Sequence, residues 1–524
     1  MPMRLPFSSL LVPVRHVRAR LTPAKLAQYG CAIVFLPAAP APGDWAALPY
    51  GNLLRDLYQR KERKPGASVQ LRVGAHAETL LLAVCVAETA STFERLQAAG
   101  KFARIALEDE PQSVLLSAQG CGQEAAQAAL HAAIAALEAA AFRFAAFKSK
   151  PKPHRPPARI DLAVAGKLAD LDVTLATAAG NNLARWLTAL PPNRLDAGGY
   201  RRLLQELARR LDLDFKFYSE AQLKRLGAGA FVAVSQGNGA RDAGIVYLAY
   251  RRGVVTRGGQ PPGVATRGGQ PPSKASPAAV SLVGKGICFD TGGTNLKTHK
   301  GMLDMHIDME GSAVAVGSLY ALHALRSPLA VDCWVAITEN RTGPLAYKPQ
   351  DVVRAYDGTT IQVIHTDAEG RMVLADTLCL AAAKKPRAII DYATLTGACV
   401  YALTERYSGA FTNRPGARAE IEAAGTASGE RVWCFPMDAD FDSDLESPVA
   451  DIMQCATEGK GDHILAARFL NRFVPKNIAW LHLDLSSGSR TGGLAHIPTE
   501  ITGFGVRYTL DLLRRGWPAA AGTA

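Results

Sequence analysis

The chain lacks the short motifs that mark the commonest hydrolase and nucleotide chemistries. It has no GxSxG and no HExxH, so neither a serine-hydrolase elbow nor a zincin helix finds support. It also lacks the glycine-lysine loop that cradles nucleotide phosphates. Its nine cysteines form no CxxC pair, and most sit in apolar runs such as "LLAVCVAE". That pattern belongs to buried thiols in a reducing compartment. The eleven histidines show no spacing suggestive of a zinc site. No uninterrupted apolar stretch approaches the length of a membrane span, so no membrane partner is expected. At the start, Pro13 and Arg15 interrupt the apolar character before a signal-peptide core could form. The first acid is Asp44, a scarcity shared by organelle transit peptides. The expected location is nevertheless the cytoplasm.

The chain has 524 residues, too many for a single hydrophobic core. A hydrophobic fraction of 48% with 20% charged residues is ordinary for a globular protein. Lysine and arginine number 59 against 47 acids, a formal net charge of +12. That surplus permits nucleic-acid binding, but part of it is local, in "RHVRAR" and in "KSKPKPHRPPAR" at 148 to 159. Neither a helix-turn-helix nor a basic stripe interleaved with aromatics is found, so a nucleic-acid partner is not the reading adopted.

The fold class is α/β, with two units. Residues 1 to 147 alternate strand-like runs ("CAIVFLP", "TLLLAVCV", "SVLLSA") with an alanine-rich helical pattern, and no candidate site clusters there. Residues 148 to 175, rich in proline and lysine at their start, read as a linker. Residues 176 to 524 form the larger unit. Within it, "GVVTRGGQPP" is followed by "GVATRGGQPP" at 253 to 272. A Gly- and Pro-rich repeat this short cannot bury a core and is expected to be a surface loop. Strand-like runs follow in "AVSLVGKGICFD", "AVDCWVAIT" and "RAIIDYATLTGA", and Asp357-Gly358 marks a hairpin in "DVVRAYDGTTIQVIHTD".

Four acids stand where those strands end or helices begin: Asp290 in "CFDTGG", Asp308 in "HIDME", and Asp367 and Glu369 in "HTDAEG". Buried carboxylates need compensation. Lys285, Lys297 and Arg371 could pair with some of them. Any single acid here could also be a helix cap or a turn former, and "DAEGR" could complement a helix dipole. Four acids converging at strand ends suit divalent cations better, and a pair of such cations promotes hydrolysis.

The blocks "VGKGICFDTGGTNLK", "DMHIDMEGSA", "HTDAEGRMVLADTL", "DYATLTGA" and "ITGFGVR" resemble the signatures of the leucyl aminopeptidase family of two-metal exopeptidases. The resemblance runs from "NNLARWLTALPPN" to "GFGVR", about two thirds of the chain, with the blocks in the family's order. It implies an N-terminal macrodomain-like α/β domain and a larger α/β/α catalytic domain with a mixed central sheet. It implies an aminopeptidase acting on short peptides, assembled as a homohexamer. Two divalent metals per subunit, Mn²⁺ or Zn²⁺ and otherwise Mg²⁺ or Co²⁺, would be held by Lys285, Asp290, Asp308, Asp367 and Glu369. Asp290 and Glu369 would bridge the pair. Lys297 matches the catalytic lysine that steadies the oxyanion. Arg371 matches the arginine that holds bicarbonate as general base. Met305, Thr394, Leu395 and Gly397 match positions lining the substrate cleft.

Three departures flank that cleft: His365 stands where the family has Asn, Glu310 where it has Gly, and Thr291 where it has Ser. His365 is expected to line the substrate pocket without ligating metal. The stretch "ADIMQCATEGKGDHILAARFL" departs from the family's small-residue pattern. A scaffold that kept the fold and lost catalysis is disfavoured, because every implied ligand is present.

Overall fold

The computed structural model describes residues 4–18, 20–60, 67–74, 76, 78–151, 153–164, 166–251 and 278–518. The tandem repeat at 253 to 272 lies outside them. Six strands build the first sheet: β1 (Val14–His16), β2 (Cys31–Leu36), β3 (Ser68–Val73), β4 (Thr79–Cys85), β5 (Ser113–Ala118) and β6 (Arg159–Ala163). Their order is β1-β6-β5-β2-β4-β3, parallel except at the β3/β4 edge. β2 and β4 are buried along their whole length, as expected of strands covered on both faces.

This sheet corrects the expected boundary. Arg159–Ala163, read as part of a linker, pairs with both β1 and β5. The reason is physical: "RIDLA" is a short apolar strand behind a proline-rich run, and the prolines ahead of it hid its pattern. The helix Leu171–Thr188 likewise begins inside the expected linker.

The second sheet takes β7 (Asp214–Ser219), β8 (Gly244–Tyr250), β9 (Val280–Asp290), β10 (Val331–Asn340), β13 (Ala388–Ala393), β14 (Ser408–Thr412), β15 (Val432–Cys434) and β17 (Ala479–Asp484). Its order is β15-β14-β17-β13-β9-β10-β8-β7, and it is mixed. The four strands β17, β13, β9 and β10 run parallel at its centre. Val280 and Leu282 of β9 face one core with the helices Leu171–Thr188 and Glu310–Ala324. Val283 and Ile287 face the opposite core with the helix Glu369–Ala382. Period-two alternation of apolar side chains therefore supports helices on both faces, and the larger unit is a three-layer α/β/α sandwich. The expected hairpin is present as β11 (Val352–Arg354) and β12 (Thr360–Gln362), which extend to β16 (Ile452–Met453) in a small third sheet.

The two units share hydrogen bonds. Asn182 Nδ2 donates to Leu10 O at 2.9 Å and to Glu138 O at 3.4 Å. No helix among the described residues is long and apolar enough to cross a membrane.

Candidate active site

The carboxyl ends of the parallel central strands converge on one cavity of about 890 Å³. Crevices of this kind form where strands end and loops must carry the chain away. All twelve residues given a site role from the sequence border it, as does Glu310, whereas Thr291 does not. A second cavity, of about 470 Å³ beside Phe35, Cys85 and Phe102, gathers only Glu94 and Arg95 as charged groups.

β9 carries Lys285 at its middle and Asp290 as its last residue, and the following loop returns Lys297 to Asp290. Lys285 Nζ lies 2.8 Å from Asp308 Oδ1 and 2.9 Å from Glu369 Oε1, and it donates to Thr394 O at 2.9 Å. Lys297 Nζ lies 2.8 Å from Asp290 Oδ2 and 2.6 Å from Asp367 Oδ1. Each ammonium thus spans two of the four acids. Asp290 Oδ1 also accepts from Gly292 N and from Asn340 Nδ2, both at 2.8 Å. Thr394 Oγ1 donates to Asp308 Oδ1 at 2.8 Å, so this residue supports the acid cluster as well as bordering the cavity.

The electrostatics are those of a crowded, buried set. Burial, then the neighbouring Asp290 carboxylate, push the Asp308, Asp367 and Glu369 carboxyls above their usual range, against the lowering pull of Lys285 and Lys297. Burial alone would depress both lysines. Asp308, Glu369 and Asp290 outweigh it at Lys285, as do Asp290, Glu369, Asp308 and Asp367 at Lys297, and both ammonium groups are held above their ordinary value. Four carboxylates against two ammonium groups (4 − 2 = 2) leave two negative charges in excess.

That surplus fits a divalent cation. Asp290, Asp367 and Glu369 offer oxygen atoms within 4.8 Å of one another. Asp308 Oδ2 is buried with no hydrogen-bond partner, an acceptor still owed a positive group. The donors are hard oxygens, joined by Lys285 only when a bound cation displaces its proton, since the ammonium has no lone pair to offer; that set suits Mn²⁺, Zn²⁺, Mg²⁺ or Co²⁺.

Bicarbonate does not fit in the same way. Arg371 is buried, and its Nη2 donates to both oxygens of Asp462, at 2.8 and 2.9 Å, while Nη1 donates to Gln454 O at 3.2 Å. Nη2 is common to both two-nitrogen edges of a planar guanidinium, so neither edge is left for a second anion to grip. The bicarbonate implied by the resemblance therefore has its seat taken by a carboxylate of this chain.

His365 is exposed at the cavity, and its Nδ1 accepts from Asp367 N at 3.3 Å. Leu395 N and Thr396 N donate to Asp484 Oδ1, which holds the loop after β13 against the end of β17. Met305 sits in a short 3-10 turn just before Asp308, and Gly397 opens the helix Gly397–Leu403.

The family model described as the cytosol aminopeptidase family, catalytic domain, matches residues 182–510. The chain belongs to the cytosol aminopeptidase family. A probable cytosol aminopeptidase of Parasynechococcus marenigrum is 38% identical over 388 residues, covering 72% of this chain and 74% of its own. One of Methylorubrum populi is 38% identical over 384 residues, covering 71% and 72%. Among solved structures, the bottromycin maturation enzyme BotP in complex with Mn is 30% identical with a TM-score of 0.76, covering 93% of this chain and 99% of that one. A mutant of tomato leucine aminopeptidase, 23% identical, superposes with a TM-score of 0.77 over 96% of this chain and 97% of its own, a likeness of fold.

This cytosol aminopeptidase family member is accordingly a peptidase, a hydrolase with aminopeptidase activity. Sequence reasoning missed several of its site residues. Asn340 was findable, because it is a polar residue closing the apolar strand β10 as Asp290 closes β9. Asp462 lies in the stretch already marked as departing from the family, but nothing local said that it would meet Arg371. Glu310, marked from the sequence as a departure flanking the cleft, borders the cavity fully buried.

Proposed function

We propose that this enzyme removes unblocked N-terminal residues from short peptides, using two divalent cations held by Lys285, Asp290, Asp308, Asp367 and Glu369. The observation that carries the reading is the arrangement of four acids and two lysines at the floor of the cavity, with negative charge in excess. Mn²⁺ or Zn²⁺ is the favoured metal, and the Mn complex of BotP supports the first. When bound, such cations polarise a peptide carbonyl and make the attacking water more acidic.

The chain's own groups supply the rest. Lys297 keeps one ammonium at the mouth of the acid cluster, 17% exposed on its side chain, where it can meet the oxyanion that develops on the scissile carbonyl. Leu395, Met305 and Gly397 border the cavity and would contact the substrate's first side chain. His365 would alter which side chains or termini fit. A homohexamer in the cytoplasm completes the proposal, after the family resemblance.

The test is hydrolysis of leucine amide and leucine anilide with added Mn²⁺ or Zn²⁺, alongside metal analysis of the purified enzyme. Asp290→Ala and Glu369→Ala are expected to lose bound metal and activity together while folding. Full activity in either variant would overturn the two-metal reading.

A further inference from the structure

The contact between Arg371 and Asp462 carries the strongest unused information in the molecule. Arg371 lies in the helix Glu369–Ala382, two residues after Glu369, with a side chain only 1% exposed. Asp462 is the first residue of the helix Asp462–Asn471, and its side chain is 27% exposed and borders the cavity. One carboxylate therefore joins a buried guanidinium on one side and the reaction cavity on the other. A plain ion pair would need only one oxygen facing the arginine, yet both oxygens lie within 2.9 Å of Nη2. Gln454 O takes Nη1, and Nε is buried without a partner. The guanidinium thus has one anion, supplied by the chain itself.

We infer that Asp462 is the built-in proton acceptor of this enzyme, seated on Arg371 where the family resemblance implies a bound bicarbonate, so that catalysis here is independent of bicarbonate. The inference rests on the proposed hydrolysis. In that reaction a water O–H bond breaks as its oxygen bonds to the scissile carbonyl carbon, and the proton passes to the Asp462 carboxylate. It is then delivered to the leaving nitrogen as the C–N bond breaks, which returns Asp462 to its starting state. Arg371 fixes the carboxylate's orientation and acts as a positioning residue. General-base catalysis of this kind contributes about 100- to 10,000-fold in rate, and a carboxylate carried covalently is present at every turnover.

Three variants and one ligand test this. Asp462→Asn keeps the shape and one of the two hydrogen bonds from Arg371 but cannot take a proton. Its kcat should fall by roughly 100-fold or more with KM and metal content near those of the parent. Asp462→Glu should restore part of the loss. Asp462→Ala opens the anion seat: added bicarbonate or formate should raise its kcat and its melting temperature, while the parent enzyme in CO₂-depleted buffer responds to neither. The melting measurements use no substrate, so they stand even if the proposed reaction fails, and a parent enzyme without peptidase activity would sink only that reaction. Retention of kcat in Asp462→Asn would overturn the inference. So would a parent enzyme whose kcat or melting temperature rises with bicarbonate as much as that of Asp462→Ala.

Discussion

Asn340 and Asp290 face each other at the ends of β10 and β9, and Asn340 Nδ2 donates to Asp290 Oδ1 at 2.8 Å. The same amide group reaches Thr366 O at 3.0 Å. One side chain therefore orients an acid of β9 and ties it to the segment that carries Asp367 and Glu369. Groups that orient a ligand from behind commonly change metal affinity by about 10- to 100-fold when removed. Asn340→Ala is expected to weaken Mn²⁺ binding within that range, measured by calorimetric titration, with a smaller loss of melting temperature. Unchanged affinity would show that Asp290 is held by Gly292 N and Lys297 alone.

Gly370 sits between Glu369 and Arg371, inside the helix Glu369–Ala382. Alanine normally stabilises an exposed helix interior over glycine by about 1 kcal/mol. Here a Cβ would stand 2.7 Å from Lys285 Cε and 2.9 Å from its Nζ. Gly370→Ala is therefore expected to push Lys285 off Asp308 and Glu369 and to lower metal occupancy. Metal analysis after dialysis reads this directly; a variant as well loaded as the parent, and more stable, would show that Lys285 can yield without cost.

His365 accepts from Asp367 N while standing exposed at the cavity. His365→Asn should leave metal content unchanged and alter the ranking of aminoacyl substrates by kcat/KM, the quantity that measures discrimination. Loss of a metal equivalent would make His365 a ligand. An unaltered ranking would place it outside the substrate's reach.

Glu138, at the junction of the two units, is buried, and burial pushes its carboxyl from 4.5 up to about 8 against the lowering hydrogen bond from Val12 N. The folded chain keeps this proton up to about pH 8, whereas the unfolded chain releases it near 4.5. Unfolding therefore releases a proton between those values, and stability falls as pH rises through that window, by about 1.4 kcal/mol per pH unit at most. Glu138→Gln removes this dependence. Melting temperatures at pH 5 and pH 8 should show the parent falling relative to the variant; parallel curves would mean that Glu138 is charged in the fold.

The local chemistry was legible along the chain, because it follows from near neighbours. Short apolar runs marked β9, β10 and β13, and polar residues closing them marked the strand ends where Asp290 and the loop from Thr394 to Gly397 lie. The family blocks then brought Lys285, Lys297, Asp308, Asp367, Glu369 and Arg371 into one set. Only the fold decided how those charges are shared, with Lys285 between Asp308 and Glu369 and Lys297 between Asp290 and Asp367. Only the fold drew Arg159–Ala163 into the first sheet, since strand pairing depends on partners far along the chain. Asp462 is 91 residues from Arg371, and its meeting with that guanidinium is set by how the helix Asp462–Asn471 packs on the helix Glu369–Ala382. Periodicity tells which face of an element is buried and which residues close it. It carries no information on which distant side chain that face will bring within hydrogen-bonding distance, because that is settled by packing of the whole sandwich.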